Sequence, residues 1–241
     1  MNQIRDKYAI VGVGESKRSK NSGTTPLHLA LDAARAAIAD AGIEAKEIDG
    51  FMSYCENDSC SPHQLATYLG VRPNYVKEIL GGGSSTEMLI ADAVALIETG
   101  QANTVLIYRS MNGRSGMRMG GGGWSSDLLQ SAFDGGSYII PYGAASPGQW
   151  FGLFATRHMK QNGLTQEHLG HVCTSFYEHA QRNPNAFFYG KPLTMEEYLQ
   201  TAQLSSPFTK HDFCLESDEA NAIIVTSAER AKDCQSKPAY I

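Results

Sequence analysis

Five small residues carry the most chemical potential in this chain: Gly81, Gly82, Gly83, Ser84 and Ser85. They follow a strand-like stretch, Tyr75 to Leu80, and precede a stretch that reads as a helix from about Thr86 to Thr99. A helix that starts in buried surroundings presents free backbone N–H groups and the positive end of its dipole. Such a start lowers a cysteine pKa or holds an enolate oxygen. Glycines there let a ligand approach the backbone closely. The same residues also suit a plain strand-to-helix turn, and on their own they leave both readings open.

Other candidate clusters are weaker. Gly12-Val13-Gly14 follows an apolar strand-like run, as in a dinucleotide-binding turn, but Lys17 occupies the place of the third glycine. No helix opens at once and no acidic residue closes a second strand at the right place, so a strand-ending turn is the plainer reading. His168, His171 and Cys173 lie close in sequence, yet on a helix the first two share a face and the third points elsewhere. With no fourth ligand at zinc-like spacing, they read as ordinary helix residues. Cys55 and Cys60 lack a second pair and read as buried or loop thiols.

Composition narrows the function classes. Of 241 residues, 42% are hydrophobic and only 19% charged, with 24 glycines and a net charge of −5. That apolar content excludes a disordered chain, and the low charge suggests a surface partly covered by another subunit. Mild acidity argues against nucleic acid or an anionic membrane as main partner, since either favours a basic patch. No apolar run reaches the roughly eighteen residues of a membrane span. The charged N-terminus MNQIRDK does not read as a targeting signal, and five scattered cysteines fit a reducing, cytoplasmic setting.

The elements that must position the glycine-serine turn read as alternating strands and helices. Strands are expected at Tyr8–Val13, Ile48–Tyr54, Tyr75–Leu80, Thr104–Tyr108 and Ala220–Thr226. Thr24-Thr25-Pro26 opens a helix that Gly42 ends, and Leu65–Leu69 makes a short helix ended by Gly70. The helix after Ser85 carries Met88, Leu89, Ile90, Ala91, Ala93, Val94, Ala95, Leu96 and Ile97, and is expected to be buried all round. Strands alternating with helices predict a parallel-type α/β layer structure. Residues 109 to about 205 form a long excursion rich in Gly, Ser and Tyr, with helices near Gln149–Asn162 and Gln166–Asn183. A short helical stretch is expected at Ala228–Cys234, and Ala239-Tyr240-Ile241 reads as the start of a strand.

At this point a resemblance carries further than the spacing. GGGSSTEMLIADAVALIETGQANTVLIYRSMNGRSG resembles the segment around the nucleophile helix of the thiolase superfamily. More closely it is similar to the branch of thiolase-like lipid-transfer proteins and steroid side-chain aldolases. YAIVGVGES, TTPLHLALDAARAAIADAGI, RHMKQNGLTQEHLGHV with QRNPNA, and PFTKHDFCLESDEANAIIVTSAERAKD support it in order and spacing.

The resemblance implies an α/β, thiolase-like layered αβαβα fold. Its core spans 1–108 and 215–235, a loop-domain insertion spans 109–214, and 236–241 begins a second thiolase-like half expected to be absent here. Aligned on Gly100, Gly83 stands where a thiolase carries its nucleophilic cysteine. Without the thiol no acyl-enzyme forms, which makes thiolysis or Claisen condensation doubtful. The implied activity is retro-aldol cleavage of a β-hydroxyacyl-CoA, with a steroid side-chain thioester as substrate class and coenzyme A present only as part of the substrate. Gly83, Ser84 and Ser85 are then the oxyanion turn, whose N–H groups face the thioester oxygen. Arg109, Asn112, Arg114 and Arg118 bind CoA phosphates or stitch a dimer interface, and Tyr138, Tyr142 and Trp150 are channel walls or core residues. No metal site is nominated, and the catalytic acid and base are expected beyond Ile241. The implied partners are a homodimer mate through the core and a small OB-fold/zinc-ribbon protein. A non-catalytic acyl-CoA carrier or scaffold subunit is the alternative, and an acyl-CoA acyltransferase a weaker one.

Overall fold

The computed structural model describes residues 4–55, 58–116, 140–144 and 146–241. Its first strand, β1 (Tyr8–Glu15), runs through Gly12 and Gly14 instead of turning there. The register of β1 against its neighbour shifts between Ile10 and Gly12, and both glycines face helix α1 (Pro26–Ala41). A Cβ at Gly12 would sit 2.3 Å from the Ala37 carbonyl oxygen, and one at Gly14 would sit 2.1 Å from that of Ala33. These glycines therefore admit the backbone of a helix, which corrects the strand-ending turn expected from sequence. The Thr25 hydroxyl caps α1 by accepting from His28 N, Pro26 opens its first turn, and left-handed Gly42 closes it.

Strands β2 (Gly50–Cys55), β3 (Tyr75–Leu80), β4 (Thr104–Asn112), β7 (Asp218–Ser227) and β8 (Ala239–Tyr240) complete one six-stranded sheet, ordered β3-β2-β4-β7-β1-β8. β3, β2 and β4 are parallel, while β7 runs antiparallel to both β4 and β1. The sheet is thus mixed, where sequence predicts a parallel-type layer. Asn112 ends β4 directly opposite Asp218, where β7 begins, so the chain returns to the edge it left. An antiparallel neighbour can start there, whereas a parallel one needs a crossover to the far edge.

Helices α1 and α2 (Pro62–Tyr68) pack on one face of the sheet with Val11, Phe51, Leu106, Tyr108 and Ile224. Helix α3 (Ser85–Glu98) packs on the other through Leu89, Ala93 and Leu96 against Met52, Val105, Ile107 and Val225. Burial of α3 is one-sided, which corrects the expectation of burial all round. Met88 is 60% exposed, and Ala91 and Ala95 are exposed as well. An all-apolar helix needs two covers, and among the described residues only one sheet is provided. The short helical stretch near the C-terminal end is a 3-10 turn, Arg230–Asp233.

Contacts divide the chain into Met1–Met117 with Glu216–Ile241, just described, and Arg118–Leu215. The second unit contains α4 (Pro147–Asn162), α5 (Gln166–Gln181), α6 (Met195–Gln200) and a hairpin of β5 (Gln203–Ser205) and β6 (Phe208–Thr209). Asp212 ties it together, accepting from Tyr198 Oη at 2.9 Å, Thr209 N at 2.6 Å and Cys173 Sγ at 3.3 Å. Phe154 on α4 and Phe176 on α5 are exposed. Tyr142 is exposed too and so is no core residue, while Trp150 donates its ring N–H to Ala144 O at 2.6 Å. Tyr138 lies outside the described residues. No helix among the described residues is long and apolar enough to cross a membrane.

Candidate active site

The glycine-serine turn joins the end of β3 to the start of α3 on the α3 side of the sheet. Gly81 prolongs the β3–β2 pairing by donating its N–H to Cys55 O at 3.2 Å. The chain then closes a tight turn, with Ser85 N donating to Gly82 O at 3.0 Å. Ser84 occupies the helix N-cap in a helical conformation, and its side chain makes no capping hydrogen bond. A serine hydroxyl at an N-cap usually satisfies one of the first helical N–H groups. Here the start of α3 goes without that satisfaction.

Gly83 precedes the cap, and a Cβ built on it meets no atom of the described residues within 4 Å. The fold therefore does not demand glycine at the position where the family alignment expects a nucleophilic thiol. Gly81 differs, because its Cβ would lie 2.4 Å from Ser85 Oγ. The turn is a structural connection that also leaves open space in front of a helix start.

Of the residues nominated for CoA or a dimer interface, the three described ones, Arg109, Asn112 and Arg114, do not gather in one place. Arg109 shares the α3 side of the sheet with Val105 and Ile107, four and two residues earlier on β4, whereas Asn112 alternates to the other face. The Arg109 guanidinium lies 4.9 Å from the centre of the Tyr54 ring and donates to Asp58 Oδ2 at 2.6 Å. Burial disfavours its charge, but the Asp58 carboxylate outweighs burial and holds its pKa above the ordinary value. Asn112 donates to Thr24 O at 2.8 Å, and Arg114 donates its backbone N–H to Asp218 Oδ1 at 3.0 Å. Arg118 lies outside the described residues.

Asp218 had no sequence signal beyond a polar lead-in to an apolar strand. Fully buried, it accepts backbone N–H bonds from Ser22, Arg114 and Ser115, and the Ser115 hydroxyl bond at 2.5 Å. Burial pushes the carboxyl up, yet the Ser115 hydroxyl and the three N–H donors win and hold it far below the usual carboxylate range. It pins the loops that follow β1 and β4, the two strands beside β7, and plays no visible part in the turn.

Cys60, Cys173 and His168 have structural partners. Cys60 is buried beside Tyr108, whose hydroxyl donates to Cys60 O at 2.6 Å. His168 Nδ1 accepts from Thr165 N at 3.0 Å at the start of α5. Burial, with help from Asp212, pushes the Cys173 thiol up to about 12. A cavity of about 390 Å³ lined by Tyr8, Ile97 and Glu98 lies at the opposite end of α3 from the turn.

The class of protein follows from this sheet, its flanking helices and the helix start. The fold is that of the thiolases: a monomeric SCP2-thiolase-like protein type 1 from Mycobacterium smegmatis superposes at a TM-score of 0.69 with 22% identity, over 95% of this chain and 47% of that one. No protein-family model matches the chain. Sequence then specifies the branch. The chain is 38% identical to a steroid side-chain-cleaving aldolase of Thermomonospora curvata, covering 100% of this chain and 62% of the relative. It is 35% identical to the 17-hydroxy-3-oxo-4-pregnene-20-carboxyl-CoA lyase of Mycobacterium tuberculosis, covering 99% and 62%. The solved Ltp2-ChsH2(DUF35) aldolase superposes at a TM-score of 0.86 with 35% identity, over 99% of this chain and 60% of that one. The chain is thus similar in sequence and fold to the lipid-transfer-protein and steroid side-chain aldolase branch of the thiolase superfamily. It spans about three fifths of the length of the relatives it matches.

Proposed function

We propose that this chain forms the CoA-facing core of an acyl-CoA carbon–carbon lyase. The observation that carries the reading is the start of α3: an uncapped helix end, open space at Gly83, and no thiol where a thiolase holds its acyl group. In a retro-aldol step a base removes the β-hydroxyl proton, and those O–H electrons become the new carbonyl. The Cα–Cβ bond breaks, its electron pair passes into the thioester as an enolate, and a proton returns to Cα. The thioester is already an electron sink, so neither an acyl-enzyme nor a Schiff base is required. N–H groups of Gly83 and Ser84 stabilise the enolate oxygen, while that of Ser85 stays with Gly82 O at 3.0 Å.

The substrate class is a β-hydroxyacyl-CoA carrying a steroid side chain, supported by the names of the two relatives. Coenzyme A enters as part of that substrate. The second component in the name of the solved aldolase supports a small OB-fold/zinc-ribbon partner. A homodimer through the core is supported by β3, which among the described residues ends the sheet with an unpaired edge, and by the exposed Leu80 and Met88 beside it. Cytoplasm is the compartment this chemistry fits.

Gly83→Phe tests the reading. The side chain enters open space, so the fold should keep its thermal midpoint while cleavage of a β-hydroxyacyl-CoA falls below detection. Undiminished cleavage by the folded variant refutes the site. Acyl-CoA that binds the wild-type complex and is never cleaved turns the reading into a carrier.

A further inference from the structure

We propose that the Ser85 hydroxyl donates a hydrogen bond to the thioester oxygen of the bound acyl-CoA, and that Gly81 is glycine to keep that hydroxyl available. The inference rests on the acyl-CoA reading above and adds a side-chain donor to the backbone groups of the turn.

Three observations converge on it. Ser85 is 4% exposed, yet its hydroxyl makes no hydrogen bond with any of the described residues. Buried hydroxyls are almost always paired; this one is unpaired on a nearly buried residue yet is not itself fully enclosed, so a ligand atom can reach it. The hydroxyl also does not turn inward to cap its own helix. It lies against Gly81, where any Cβ would come within 2.4 Å of it, while the Ser85 Cβ itself would be 3.7 Å away. Gly81 has an ordinary backbone conformation, and among the described residues a methyl group at position 81 meets only the Ser85 side chain. Finally, the helix end carries no side-chain cap, so the hydroxyl and the positive end of the α3 dipole act on the same space.

A neutral, fixed donor at this point matters most when charge develops. As the Cα–Cβ bond breaks, the thioester oxygen gains negative charge, and a donor held in a dry turn stabilises that oxygen more than the ground-state carbonyl.

The test is a double-mutant cycle in the native complex, read by steady-state cleavage of a β-hydroxyacyl-CoA. Ser85→Ala should lower kcat by about 100-fold with KM nearly unchanged, as removal of one oxyanion donor does. Ser85→Thr, which keeps a hydroxyl, should retain most of the activity. Gly81→Ala should lower kcat comparably, because its methyl displaces the hydroxyl. The double variant should be no worse than Ser85→Ala alone, since no hydroxyl is left to displace. Independent effects of the two changes, or a fully active Ser85→Ala, overturn the proposal.

A second readout separates this inference from the lyase reading. Infrared difference spectra of bound 13C-carbonyl acyl-CoA should show the thioester stretch move to higher wavenumber in Ser85→Ala. If that shift occurs without any cleavage by wild type, the donor stands and the lyase reading falls. If wild type cleaves and neither readout responds to Ser85→Ala, the donor falls and the lyase reading stands. Failure of acyl-CoA to bind at all overturns both.

Discussion

Replacing Asp218 with Asn exchanges one carboxylate oxygen for an NH2 group at the most heavily bonded side chain of the core. Oδ1 receives Arg114 N at 3.0 Å and Ser115 N at 2.9 Å, while Oδ2 receives Ser22 N at 2.8 Å and Ser115 Oγ at 2.5 Å. An amide oxygen in place of Oδ1 keeps the first pair, now without charge assistance. The NH2 group faces Ser22 N–H, donor against donor, whereas the Ser115 hydroxyl can rotate and accept. The stranded Ser22 N–H costs roughly 1–3 kcal/mol, and each retained bond loses roughly 1 kcal/mol on becoming neutral. Together the change should destabilise the protein by about 4 kcal/mol, or lower the thermal midpoint by about 10 °C for a chain of this size. Urea denaturation followed by tryptophan fluorescence measures it, with m unchanged. A loss under about 1 kcal/mol refutes the hub. The same carboxylate predicts a pH signature: its folded pKa is depressed, so its stabilisation is complete above the unfolded carboxylate pKa of about 3.9. That stabilisation is lost as pH falls further toward the folded value. Asp218→Asn should therefore flatten the acid limb of stability below about pH 4 and leave its shape near pH 7 unchanged.

Other expectations concern packing, charge and thiols. Gly14→Ala drives a methyl onto the α1 backbone and should destabilise by about 3 kcal/mol, visible as a lower urea midpoint; an unchanged midpoint contradicts the close approach. Arg109→Ala leaves Asp58 without its 2.6 Å partner and should cost about 3 kcal/mol of stability. If Arg109 instead serves the CoA phosphates, KM for acyl-CoA rises while stability holds. Iodoacetamide at pH 8 should label exposed Cys214 well before Cys173, whose thiol is buried and pushed up to about 12; equal labelling rates contradict that burial.

Local signals were legible wherever a few neighbouring residues decide the structure. Thr25, Pro26 and Gly42 bound α1, and the expected strand Tyr75–Leu80 is β3 to the residue. The mixed sense of the sheet was not legible, because it depends on the chain returning beside Asn112 after a long excursion. Gly12 and Gly14 misled for a related reason: their role is set by α1, which lies beyond any local window. Likewise Asp218 draws its donors from Ser22 and Ser115, about two hundred and one hundred residues away. The candidate turn itself was visible as a run of small residues. Its chemistry was legible only through family resemblance, since a missing thiol at Gly83 is informative only against a pattern that has one. What sequence could not separate is Gly81 from Gly83: one makes room for Ser85, and the other faces open space.

The most direct test of the central claim is a quenched turnover experiment on the native complex, with products and protein both weighed by mass spectrometry. Given a steroid side-chain β-hydroxyacyl-CoA and no free CoA, the account predicts a shortened acyl-CoA and a carbonyl product in equal amounts, with no mass added to the chain. An acyl adduct on the protein, or cleavage that requires added CoA, would contradict it.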